Sequence, residues 1–156
     1  MDSQIVNQFV RATSSVFGQV NNVSLLKTDL NYFPDGCSFP APVSIGLGVS
    51  GGFKGQFFIV MDEVVALKAA SVALAGKPVT VYDRLVESAI GELSNMIAGE
   101  ASKRLLEMGL DCDITVPAIT RGKDFFTANA CFVGKFECEW GGLQLIVKFD
   151  SRAQIK

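Results

Sequence analysis

Apolar residues recur at helical intervals in three stretches of the chain and alternate as in strands over most of the rest. Ile5, Phe9, Ala12 and Val16 repeat at steps of three and four, which predicts a first helix over residues 2–18. Asp2 or Ser3 would cap it and Gly18 would close it. A second helix is expected from the cap residue Asp62 to about Ala75, with Gly76 and Pro78 as its stop. The longest helical pattern is LVESAIGELSNMIAGEASKRLLEM, Leu85 to Met108, preceded by the cap candidate Asp83 and followed by Gly109. At about 100° per residue, Val86, Ile90, Leu93, Ile97, Ala101 and Met108 form one stripe of this helix. Ser88, Asn95, Gly99 and Lys103 fall within roughly 60° of Glu92 on the opposite side. One face is therefore for burial and the other presents a polar row.

The strand pattern begins at residues 23–31. Residues 33–42 carry Pro34, Gly36, Pro40 and Pro42 and read as a loop. Val43–Val49 and Phe53–Met61 flank Ser50-Gly51-Gly52, a hairpin signal whose loop length, two or three residues, is left open. Residues 77–82 read as an extended connector and residues 111–116 as a strand leading to Pro117. From Phe126 to Trp140 the even positions are apolar or small, with Lys135, Glu137 and Glu139 opposite, and Gly134 marks a bend or bulge. A turn at Gly141-Gly142 would pair Trp140 with Leu143, Cys138 with Leu145 and Phe136 with Val147. Each half then reads helix, strand, loop, strand, Gly-Gly, strand, a weak internal α-β-β-β duplication. The fold class is α+β, an antiparallel β-sheet with helices packed on it.

A chain of 156 residues suits a single domain, here residues 1–156. Its net charge is −2 and it has no Lys/Arg run, so no nucleic acid partner is expected. The start MDSQIVNQF lacks a basic region followed by an apolar one, and no window nears the length of a membrane span. No membrane partner is expected, and the reading is cytoplasmic. Cys37, Cys112, Cys131 and Cys138 form no C-x-x-C pair and read as reduced thiols. The absence of histidine excludes Ser-His-Asp and Cys-His chemistry and His-ligated metals. Gly46-Leu47-Gly48 with Gly51-Gly52 is a poor dinucleotide loop, since no strand-to-helix turn follows it. Asp111 and Asp113 share a strand face and read as solvated edge, so no metal site is expected.

The polar row has a distinctive spacing. Ser88-x3-Glu92-x2-Asn95 followed by Pro117 resembles the signature of the CheC, CheX and FliY phosphatases of bacterial chemotaxis, most like CheX. The gap to Pro117 is one residue shorter than the family's. The resemblance implies a CheC-like fold and a phosphatase that hydrolyses the aspartyl phosphate of a phosphorylated CheY-like response regulator. It carries the catalytic roles onto Glu92 and Asn95. Asn95 would orient the attacking water, and Glu92 would dock on the regulator's lysine. Ser88, Met96 and Gly99 are supporting or docking candidates, with Leu106 on the same outer side. Gly91, nearer the flank, suits close packing instead. No cofactor of its own is implied, and Mg2+ is expected in the partner. A homodimer is also implied. The first Glu is Glu63, so helix one lacks a second Glu-x2-Asn, and one site per chain follows. The rival reading is a non-catalytic response-regulator-binding module of the flagellar switch or another signalling complex.

Overall fold

The computed structural model describes residues 2–150. The elements run α1 (Asp2–Asn21), β1 (Leu26–Phe33), β2 (Cys37–Gly51), β3 (Gly55–Met61), α2 (Glu63–Ala73), α3 (Arg84–Glu107), β4 (Cys112–Ile114), β5 (Ala118–Thr127), β6 (Cys131–Cys138) and β7 (Gly141–Phe149). The strands form one antiparallel sheet in the order β1-β6-β7-β3-β2-β4, and β5 pairs with β2 over Cys37–Gly46. Exchanging β1 with β5, β2 with β6 and β3 with β7 leaves the pairings unchanged. The expected duplication is thus present as a pairing pattern. β4 is the addition that breaks it.

Alternation along the central strands divides the sheet's side chains between two clusters. Phe57, Ile59 and Met61 of β3, with Leu143, Leu145 and Val147 of β7, point to the helical side. There they meet Phe9 and Phe17 of α1 and Ile90, Ile97 and Leu105 of α3. The intervening Val60 and Ile146 point the other way and join Ala41, Phe125, Cys131 and Val133 in a smaller cluster. Phe125 stacks on Phe39 with centroids 5.3 Å apart and meets Phe58 edge-on at 5.0 Å. The helical cluster is the larger, so α3 is held mainly by burial of its apolar stripe.

The structure corrects several sequence expectations. The Pro-rich stretch is not a loop, because only residues 34–36 turn and β2 already begins at Cys37. β3 starts its pairing at Val43, so residues 37–42 have a partner strand on one side alone. Pro40 and Pro42 share parity, and a half-paired stretch tolerates residues without an N–H. β2 also runs on to Gly51 to meet β4, leaving Gly52-Phe53-Lys54 as the hairpin loop. The long strand expected over Phe126–Trp140 is two strands, broken where the Asn129 N–H donates to Thr127 Oγ1 at 3.1 Å. The irregularity assigned to Gly134 lies in β1, between Lys27 and Asp29. The last hairpin turns at Glu139-Trp140, with Cys138 opposite Gly141 and Phe136 opposite Leu143. Gly141 has φ +136°, and a Cβ there would stand 3.4 Å from Val65 Cγ2 of α2. The glycine is thus required by its positive φ immediately after the turn, while the approach of α2 is an ordinary contact. The slip is an even step, so Phe136, Leu143, Leu145 and Val147 still share a buried face. α1 continues past Gly18 to Asn21, and Asn22, at φ +55°, follows it.

Candidate functional site

α3 is fixed at both ends. Asp83 Oδ1 accepts from the N–H groups of Leu85 at 3.0 Å and Val86 at 3.2 Å, satisfying two unpaired donors of the first turn. At the other end the Leu110 N–H reaches back to Leu105 O, and Gly109 N–H to Leu106 O, both at 2.9 Å. Val86, Ile90, Leu93, Ile97, Ala101 and Leu105 are buried, which sets the rotation of the helix about its axis. Ser94 is also buried, its hydroxyl donating to Ile90 O at 2.8 Å.

That rotation leaves Ser88, Glu92, Asn95, Met96, Gly99 and Lys103 exposed together. The polar row therefore lies where the stripe predicts. Among the described residues, the side chains of Ser88, Glu92 and Asn95 make no hydrogen bond or ion pair. On α3 itself Arg104 pairs with Glu100 at 2.8 Å, and Glu92 has no ion pair among the described residues. Gly99 faces open space, since a Cβ built there meets nothing within 4 Å. Gly91 departs from expectation. A Cβ there would meet only Ile119 Cδ1, at an ordinary 3.9 Å, so close packing does not require this glycine. That contact does place the start of β5 against α3.

A second group of side chains braces the helix start. Arg121 of β5 pairs with Glu63 of α2, and its guanidinium carbon lies 3.8 Å over the Tyr82 ring. The Tyr82 hydroxyl donates to Glu87 Oε2 at 3.4 Å. Burial, reinforced by the Glu87 charge, pushes the Tyr82 phenol up to about 12. The connector before α3 is thereby tied to α2, to β5 and to the first turn of α3.

Two exposed apolar residues, one on α3 and one in a loop, escaped the sequence reading. Leu85 is 60% exposed and lies about 20° from Glu92 on the helical wheel, so the stripe arithmetic alone would have found it. Val116, 81% exposed, precedes Pro117 in the β4–β5 loop, where periodicity gives no signal. The glycines of β2 sit within its ladder, and Asp111 and Asp113 join no metal-holding group. No cluster of three or more His, Cys, Asp or Glu able to hold a metal occurs among the described residues.

A family model described as chemotaxis phosphatase CheX matches residues 43–137, the span from β2 to β6 that contains all of α3. The chain belongs to the CheX family. Over 126 residues it is 32% identical to the CheY-P phosphatase CheX of Thermotoga maritima, covering 80% of this chain and 79% of that protein. A CheC-like superfamily protein from Shewanella sp. PV-4 shares the fold with a TM-score of 0.84 and 25% identity, over 97% of this chain and 100% of the other. A CheX–CheY complex with BeF3 and Mg2+ from Borrelia burgdorferi gives a TM-score of 0.65 at 22% identity, covering 94% and 97%. The matched span includes Ser88, Glu92 and Asn95, and their exposure on α3 is what the structure adds to it.

Proposed function

We propose that the chain, acting as one domain over residues 1–156, hydrolyses the aspartyl phosphate of a CheY-like response regulator and so ends its signal. The observation that carries this reading is the row on α3. In a member of the CheX family, Glu92 and Asn95 stand one turn apart, exposed and without side-chain partners among the described residues.

The chemistry asks little of the protein beyond positioning. The oxygen of a water attacks phosphorus in line with the carboxylate oxygen of the phosphoaspartate, and the P–O bond to that carboxylate breaks. Asn95 hydrogen-bonds the water and fixes its approach. Being neutral, its amide adds no charge beside the phosphoryl oxygens. Glu92 pairs with a lysine of the regulator and sets the helix in register against it. Ser88 supports the row, while Met96 and Gly99 meet the regulator's surface. Mg2+ comes with the regulator, as the composition of the Borrelia complex suggests.

No helix among the described residues is long and apolar enough to cross a membrane, and we place the activity in the cytoplasm, where such regulators work. The outer edges of β1 and β5 lack strand partners among the described residues, and either supplies an edge for a homodimer. Sedimentation at micromolar concentration tests the dimer, and a purely monomeric chain removes it.

Decay of a phosphorylated CheY-like receiver, followed across receiver concentrations, tests the function. The wild type accelerates decay, and added salt raises its half-saturating concentration. Glu92→Ala raises that concentration by about 10-fold with the maximal rate largely kept. Binding without faster decay would make the chain a regulator-binding module.

A further inference from the structure

We propose that Cys37 and Cys131 form a peroxide-reactive thiol pair that closes to a disulfide, a modification site on the side of the sheet away from α3. The two sulfur atoms lie 3.4 Å apart, although 94 residues separate them in the chain. Cys37 is half-buried and Cys131 is buried in the smaller cluster with Val133, Ile146 and Phe125. Cys112 and Cys138 have no such sulfur neighbour, and the Cys138 thiol instead donates to Gly141 O.

The backbone holds the thiols together. Cys131 is paired with Phe33 at the end of β1, and Cys37 with Thr127 at the end of β5. The two cysteines therefore stand at a corner where the β1–β2 and β5–β6 turns cross. One turn is closed by the Gly36 N–H on Phe33 O at 3.3 Å and the other by the Asn129 N–H on Thr127 Oγ1. Gly36 backs directly onto Thr127, whose carbonyl oxygen lies 1.9 Å from where a Cβ would stand. Only glycine permits that approach, and the approach keeps the corner from opening. A disulfide needs about 2.05 Å between the sulfurs, so the 3.4 Å gap must shorten on oxidation.

The accessible thiol reacts first. The Cys37 thiolate attacks one oxygen of hydrogen peroxide, the O–O bond breaks, and hydroxide leaves with a proton as water, giving the sulfenic acid. The Cys131 sulfur then attacks the Cys37 sulfur. Its proton goes to the departing hydroxide, the S–S bond forms and a second water leaves. Two thiols and one peroxide thus give one disulfide and two waters. Burial, reinforced by the neighbouring Cys37 and opposed by the Lys148 charge, raises the pKa of the Cys131 thiol and disfavours it as the first nucleophile.

The test treats the reduced full chain with hydrogen peroxide and reads intact mass, alkylatable thiols, the disulfide peptide map and thermal melting. The expected product is lighter by about 2 Da, retains Cys112 and Cys138 as thiols, and reverts with dithiothreitol. Its melting temperature rises by about 5–15 °C, because the bond closes a long loop of the unfolded chain. Cys131→Ser should stop at the first step, gaining about 16 Da at Cys37 in a form trapped by dimedone. Cys37→Ser, at the half-buried position, should leave Cys131 unmodified and melt alike with or without peroxide. Four intact thiols after treatment would overturn the proposal. So would a disulfide between chains, or one through Cys112 or Cys138.

Discussion

α1 and α3 lie against one another on the same side of the sheet and solve the same packing problem with related residues. In α1 the buried Thr13 hydroxyl donates to Phe9 O, and in α3 the buried Ser94 hydroxyl donates to Ile90 O, both at 2.8 Å. Both pairs step by 81 positions, and the same step carries Ile5 to Val86, Ala12 to Leu93 and Val16 to Ile97, all buried. It also carries the exposed Gly18 to the exposed Gly99, each with open space where a Cβ would stand. The outward rows then part company. Asn7, Arg11 and Ser14 of α1 stand where Ser88, Glu92 and Asn95 stand in α3. The inner face follows from the fold and appears twice. The acid–amide pair belongs to one helix alone, so its cause must be sought outside the packing.

The largest stability effect should come from the shared inner face. Ile97→Ala should cost about 3 kcal/mol and its counterpart Val16→Ala about 2, read by urea unfolding, with activity per folded molecule kept in both. A near-neutral result at one position would mean that the two stripes are not equivalent. Asp83→Ala should cost about 1 kcal/mol, because it removes two capping hydrogen bonds that mark the entry of α3. Gly18→Ala and Gly99→Ala should each stabilise by up to about 1 kcal/mol, since both positions are helical and open. Only Gly99→Ala should also raise the half-saturating concentration of receiver. Equal effects at the two glycines would erase the difference between the rows. The smallest change concerns pH. Tyr82 titrates higher folded than the unfolded value of about 10, so it contributes stability below pH 10. That contribution is lost as pH climbs towards about 12, and Tyr82→Phe should flatten this part of the stability profile.

Much of this was legible in residue order, for reasons that differ by element. α3 could be read because a stripe from Val86 to Leu105 fixes a helix's rotation, which in turn decides where Glu92 and Asn95 point. Pro40 and Pro42 misled because a proline's effect depends on whether its strand has neighbours on both sides, and that is settled by β3 beginning its pairing at Val43. The Gly141-Gly142 signal misled because the positive φ that calls for glycine falls at Gly141, just after the turn at Glu139-Trp140 rather than within it. Parity preserved the buried face even though the turn moved. The brace of Tyr82, Glu87, Arg121 and Glu63 draws on four separate segments, so no local window contains it. The meeting of Cys37 and Cys131 was illegible for the same reason. Within the row, spacing located the residues. Their roles depend on a second molecule that the chain does not contain.

The central claim is that chemistry resides in the row of α3 and not in its twin. The most direct measurement is the maximal rate of phosphorylated-receiver decay for Asn95→Ala beside that for Ser14→Ala, the matched position in α1. Loss of the amide we propose to orient the water should lower the rate by about 10²-fold, close to 2.7 kcal/mol of barrier, while Ser14→Ala leaves it unchanged. Full turnover by Asn95→Ala, or an equal loss in Ser14→Ala, would contradict the account.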